Sequence, residues 1–127
     1  MGQFLIDNNI ISNYFSHQFS EKGMNYIAEV FDQRPIISVI TEIEALSWIS
    51  SNKMKEKIVK SFIEDSNFLT LTHEIVKECV KIRRSRKIKT PDAIIAATAL
   101  VHNLTLITSD KGFNNISNLK IFNPNSL

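Results

Sequence analysis

Four acidic side chains stand where an apolar stretch has just ended or a helix is about to begin. Asp7 follows Phe4-Leu5-Ile6, Glu42 or Glu44 lies just beyond Ile36–Ile40, Asp92 follows Thr90-Pro91, and Asp110 follows Leu104–Thr108. Carboxylates gathered at one place repel each other and raise one another's pKa, a cost that a divalent cation relieves. Hard oxygen donors suit Mg²⁺ or Mn²⁺, ions that keep several waters and bind substrate phosphates. The chemistry that fits is hydrolysis of a phosphodiester, with the ion generating the nucleophile and stabilising the leaving oxygen. Each acid also has a plainer role open to it. Asp7, Asp92 and Asp110 could cap helices, since aspartate is favoured at an N-terminus for its acceptor oxygens and its charge.

The elements that must position these acids follow from hydropathy. Phe4–Ile6 reads as a buried strand that stops at Asp7-Asn8-Asn9, and Ile10, Ile11, Tyr14 and Phe15 then recur at helical spacing. Met24, Ile27, Val30 and Phe31 mark a second helix, opening near Ser20 and closing before Pro35. The β-branched run Ile36–Ile40 predicts a second strand, with a helix starting near Thr41 and carrying Ala45, Leu46, Trp48 and Ile49. Lys53 to Asp65 is amphipathic, with Met54, Ile58, Phe62 and Ile63 apolar. Phe68–Leu71 predicts a third strand, and Thr72 caps a helix through Ile75, Val76, Cys79, Val80 and Ile82. Thr90-Pro91 supplies a capping hydroxyl and a first-turn proline for an Ala-rich helix that ends near His102-Asn103. Leu104–Thr108 and Leu119–Phe122 complete five strands. Strands separated by one or two helices imply a parallel sheet with helices on both faces. In such sheets ligands bind beyond the carboxyl ends of the strands, at the switch in strand order.

Composition narrows the alternatives. At 127 residues the chain is expected to form one domain, 1–127, with no linker, repeat or low-complexity tract to divide it. A single cysteine, Cys79, excludes an internal disulfide and any CxxC motif, and is expected to be a buried, inert thiol. Three glycines cannot build a P-loop or a GxGxxG turn. His17, His73 and His102 fall at caps, loops or helix ends and take surface roles, so no Ser/His/Asp arrangement emerges. Trp48, Ile49, Tyr14 and Phe15 are expected in the core. The apolar runs fall far short of the about 20 residues a membrane span needs, and no basic region precedes the first of them, so no membrane association and a cytoplasmic location are expected. Of fifteen basic residues, seven lie between Lys77 and Lys89. They read either as a solvated helix end or as a strip that holds phosphates, through Arg83, Arg84, Arg86, Lys87 and Lys89.

Four blocks then occur in order: Phe4-Leu5-Ile6-Asp7-Asn8-Asn9-Ile10-Ile11, Ser38-Val39-Ile40-Thr41-Glu42-Ile43-Glu44-Ala45-Leu46, Thr90-Pro91-Asp92-Ala93-Ile94-Ile95-Ala96-Ala97-Thr98-Ala99 and Leu106-Ile107-Thr108-Ser109-Asp110-Lys111-Gly112-Phe113. Together they resemble the conserved blocks of PIN-domain nucleases, above all the VapC-like toxins of bacterial toxin–antitoxin pairs, over essentially the whole chain. The resemblance implies a three-layer α/β/α sandwich around a mostly parallel five-stranded sheet. It also implies Mg²⁺ or Mn²⁺ at a carboxylate cluster, endonucleolytic cleavage of RNA, a cognate antitoxin partner and a homodimer. By position, Asp7, Glu44, Asp92 and Asp110 match the metal-site acids, while Asn9 and Thr108 match supporting polar residues. Asn8 departs from the family's usual Thr or Ser. Glu42 competes with Glu44, but on a helix the two point about 200° apart and only one can face the pocket. Spacing from Thr41 and the apolar neighbours Ala45 and Leu46 favour Glu44.

Two other readings remain. A noncatalytic RNA- or protein-binding relative would keep the fold without the reaction. A receiver-type signalling domain shares the length and the first-strand aspartate, but Thr70-Leu71-Thr72 stands where its acceptor aspartate is needed.

Overall fold

The computed structural model describes residues 3–127. The chain alternates strand and helix: β1 (Phe4–Ile6), α1 (Asn8–Phe15), α2 (Glu21–Asp32), β2 (Ile36–Ser38), α3 (Val39–Leu46), α4 (Lys53–Glu64), β3 (Asn67–Leu69), α5 (His73–Ser85), α6 (Thr90–Val101), β4 (Thr105–Ile107) and β5 (Ile121–Phe122). The strands form one sheet in the order β3-β2-β1-β4-β5, every pair parallel. It is the expected three-layer α/β/α arrangement.

Alternation along the central strands divides the core into two layers. Leu5 and Leu106 face one side, where they meet Ile75, Cys79 and Ile82 of α5 and the buried alanines of α6. Ile6 and Ile107 face the other, with Ile10 and Ile11 of α1, Ile27 and Val30 of α2, and Val59 and Ile63 of α4. Ala93, Ala96, Ala97 and Ala99 are wholly sealed. Their small side chains let α6 lie close to both the sheet and α5, and so fix the position of the helix start that carries Asp92. Cys79 is buried, as expected, and the three histidines are exposed.

Several boundaries differ from the sequence reading, each for a local reason. Val39 and Ile40 are helical despite their β-branched run, because the Ser38 hydroxyl accepts a hydrogen bond from the Thr41 N–H and starts α3 two residues early. Thr90 does not cap α6: Lys89 is the cap residue, no side chain bonds there, and Pro91 occupies the first turn where a missing N–H costs nothing. Thr72 does cap α5 through its hydroxyl. The expected core positions Trp48 and Ile49 are 40% and 84% exposed, lying beyond the end of α3 rather than on its inner face. Met54 and Ile58 also face solvent, while Val59 and Ile63 carry the buried side of α4.

Leu106 is completely buried in the layer beneath α5 and α6. Leu106→Ala is expected to cost about 2–5 kcal/mol of stability, through lost transfer energy and a residual cavity. Urea unfolding reads this directly, and a loss well below 1 kcal/mol would contradict the packing described.

Candidate functional site

The sheet order creates a crevice at one place. From β1 the chain moves outward to β2 and β3, then returns to lay β4 on the opposite side of β1. Connections therefore diverge beyond the carboxyl ends of β1 and β4, the location where open parallel sheets bind ligands. Ile6 pairs with Ile107 in register, so Asp7 and Thr108 emerge side by side, and the Asp7 N–H still bonds the Ile107 carbonyl at 3.1 Å.

Asp7 is the buried member of the site, with 6% of its surface exposed. A charge so placed needs compensating donors. The Thr108 hydroxyl donates to Asp7 Oδ2 at 2.7 Å, the Asn9 side-chain amide to the same oxygen at 3.1 Å, and the Asn8 N–H to Oδ1 at 2.8 Å. Thr108 in turn accepts from the Asp110 N–H at 3.0 Å, and Asn9 Oδ1 accepts from the Ser109 N–H at 3.3 Å. The ends of β1 and β4 are thus laced together around one carboxylate. Asn9 and Thr108, singled out in the sequence as supporting polar groups, occupy these positions.

The other three acids approach from separate elements. Glu44 comes from α3, Asp92 from the first turn of α6, and Asp110 from the residue that caps a single 3₁₀ turn at Lys111–Phe113. Asp110 Oδ1 accepts from the Gly112 N–H at 2.8 Å, and a Cβ at Gly112 would lie 3.2 Å from that oxygen, so the turn is tightest with glycine there. Sequence reading had no reason to single out Gly112 beyond its place after Asp110-Lys111.

The charges are coupled. Burial pushes the Asp7 carboxyl up, the bonds from Thr108 and Asn8 pull it back, and the charges of Asp92 and Asp110 add to the rise. Burial also raises Asp92, with Asp110 adding to it and Lys89 opposing. Glu44 is raised first by partial desolvation, then by the charges of Asp7 and Asp92.

Among the described residues no three acids, histidines or cysteines converge into a ready-made metal cage. The donor set nevertheless fits a hard divalent ion. All four groups are oxygen donors, they repel one another, and an ion that retains part of its water shell can bridge groups that do not touch.

The basic run does not behave as one strip. Arg83, Lys87 and Lys89 share a cleft of about 490 Å³ with Asp92 and Gly112, which brings cations to the edge of the acidic cluster. Arg84 instead lines an apolar groove with Leu71, Val76 and Val80. Arg86 donates from Nη1 to the Asn114 carbonyl at 3.0 Å, tying the end of α5 to the loop after the 3₁₀ turn, and its buried Nε has no partner among the described residues.

The sequence pattern of the PIN domain matches residues 4–119. Among curated proteins none matches. Several solved structures are similar over nearly the full length. A toxin–antitoxin complex from Klebsiella pneumoniae contains a chain with 29% identity and a TM-score of 0.75, the match covering 94% of this chain and 96% of that one. FitAcB from Neisseria gonorrhoeae gives 24% identity and a TM-score of 0.78, covering 98% and 99%. VapBC2 from Rickettsia felis, bound to a DNA fragment from its promoter, gives 18% and 0.77, covering 94% and 97%.

An acid whose pKa rises on folding favours the folded state while it is protonated, and that contribution is lost as pH climbs through the raised value. Glu44 makes no side-chain hydrogen bond among the described residues, so Glu44→Gln removes its repulsion without breaking a contact. The metal-free variant is expected to unfold at higher urea than the parent at pH 7. The two should converge below about pH 4, where the parent's carboxyl is protonated as well. An equal or lower midpoint at pH 7 would contradict the repulsion.

Proposed function

The chain belongs to the PIN-domain family, and from that membership and the placement of its four carboxylates we propose that it is a divalent-metal-dependent endoribonuclease, the toxin of a toxin–antitoxin pair. The observation that carries the reading is the placement of Asp7 at the crevice between β1 and β4, with Asp92 and Asp110 close enough to raise its pKa and Asp7 and Asp92 close enough to raise that of Glu44. In this reading the four acids hold Mg²⁺ or Mn²⁺, directly or through water. When bound, the ion supplies an activated water and a counter-charge for the leaving oxygen.

The chain's own residues do the rest. Thr108 and Asn9 hold Oδ2 of Asp7 and the Asn8 N–H holds Oδ1, which together lock the carboxylate in one orientation. Asp92 or Asp110 accepts the proton of the water whose oxygen bonds to phosphorus, while the P–O bond to the leaving ribose oxygen breaks and that oxygen takes up a proton from solvent. Arg83, Lys87 and Lys89 draw the anionic backbone across the cleft beside Asp92. Without such cations, a cluster of carboxylates would repel its polyanionic substrate.

The similar chain from Klebsiella pneumoniae belongs to a toxin–antitoxin complex, and a cognate antitoxin is part of the proposal. So is a homodimer. Leu46, Ile49 and Met54 on the α3–α4 side, with Leu71, Val76 and Val80 along α5, leave apolar surface exposed for such partners. Among the described residues no helix is long and apolar enough to cross a membrane, and action in the cytoplasm belongs to the same proposal.

The test is cleavage of total RNA by the purified protein with Mg²⁺ or Mn²⁺, beside Asp7→Asn. Discrete fragments from the parent, reduced roughly 100-fold or more in the variant, are expected from losing a group in the reacting constellation. RNA binding without cleavage by a folded parent would favour a noncatalytic binding module.

A further inference from the structure

The acidic cluster borders a basic cleft at Asp92 and a different kind of space at Glu44. There a cavity of about 290 Å³ opens between α1, α3 and α4, rimmed by Asn8, Ser12, Glu44, Ser47 and Trp48 over a floor that includes Val59. Trp48 is 40% exposed. Asn8 donates its backbone N–H to Asp7, while no hydrogen bond among the described residues engages its side-chain amide.

These features limit what can enter. The Glu44 carboxylate disfavours a phosphate. The rim of amide, hydroxyl and carboxylate leaves a purely aliphatic group with polar neighbours unsatisfied. An aromatic wall over a small apolar floor fits a flat ring with a polar edge. Because Glu44 belongs both to the cavity and to the cluster, the occupant sits immediately beside the reacting centre. We propose that this cavity receives one nucleobase of single-stranded RNA, adjoining the phosphodiester that is cut, with Trp48 as the stacking surface and the Asn8 amide reading the base's hydrogen-bonding edge. This rests on the ribonuclease reading and adds to it a base preference and the residues that set it.

The chemistry is specific to the residue types. Stacking on an indole is tolerant of base identity, because every base has a π-face. Discrimination falls to the polar rim, and within it to Asn8 first, whose side chain presents a donor and an acceptor together and is engaged by no hydrogen bond among the described residues. A serine hydroxyl at that position would offer no such fixed pair. The expected division of labour is that Trp48 supplies affinity and Asn8 supplies choice.

Trp48 is the sole tryptophan in the sequence, so the fluorescence is its own; it also borders a groove lined by Lys53, Lys57 and Lys60, and the Asn8 variant assigns the signal to this cavity. The full-length Asp92→Asn protein in EDTA, which should bind without cutting, is titrated with single-stranded oligoribonucleotides of one base each. Saturable quenching is expected, at concentrations that differ several-fold between bases, with the difference removed by Asn8→Ala while quenching persists. In parallel, metal-supplemented parent, Asn8→Ser and Trp48→Ala proteins cleave a randomised RNA pool. Trp48→Ala should lose about tenfold in kcat/KM, and Asn8→Ser should flatten the base preference beside the cut. Cleavage by both variants with the parent's rate and preference would overturn the subsite and leave the nuclease standing. Neither quenching nor cleavage with the parent residues in place would overturn both. Quenching by an arginine-rich peptide, but by no RNA, would assign the cavity to a protein partner instead.

Discussion

The arrangement depends on keeping one carboxylate ionisable in a place that disfavours its charge. Asp7 lies at the end of the central strand, almost sealed from water, with two further acids adding to its burden. Left alone, such a group would take up a proton or force the strands apart. Three donors from its immediate surroundings offset part of that cost, and the strongest geometry belongs to the Thr108 hydroxyl at 2.7 Å. What remains uncompensated is an excess of negative charge facing the crevice. That residual is what the proposed divalent ion would offset.

The fold meets this constraint through strand order. Only a sheet in which β4 returns beside β1 sets Thr108 against Asp7, and the register Ile6 to Ile107 places the two residues level. The small side chains of α6 then let the helix start that bears Asp92 approach the same crevice, and Ser38 turns the chain into α3 early enough to bring Glu44 toward it. Each acid is carried on a separate element, so their approach to one another is set by how those elements pack on the sheet. The cations arrive last, from the end of α5 and the linker before α6, where Lys89 offsets part of the charge on Asp92.

Much of this was legible in the sequence because strand ends and acids coincide there. Asp7 and Asp110 follow apolar runs, Asp92 opens an Ala-rich helix, and the strand–helix alternation predicts the parallel sheet. What hydropathy could not supply was direction. Trp48, Ile49 and Met54 are as apolar as core residues, and periodicity does not distinguish a stripe that faces the core from one that faces a ligand or partner. The β-branched run through Val39 and Ile40 suggested strand, yet a single capping hydroxyl from Ser38 outweighed their propensity. The basic run looked continuous in sequence, whereas the end of α5 and the turn after it send Arg84, Arg86 and Lys87 to different surfaces. The Asn8 cavity was out of reach altogether, since α4 and the end of α3 close it from residues far along the chain.

The central claim is that these acids form one divalent-metal site organised around Asp7. Crystals of the protein soaked in Mn²⁺ and measured for anomalous scattering test it most directly. The account predicts an anomalous peak in the crevice between β1 and β4, within direct or water-bridged reach of Asp7, Glu44, Asp92 and Asp110. A peak elsewhere, or none there at millimolar Mn²⁺ and neutral pH, would contradict it.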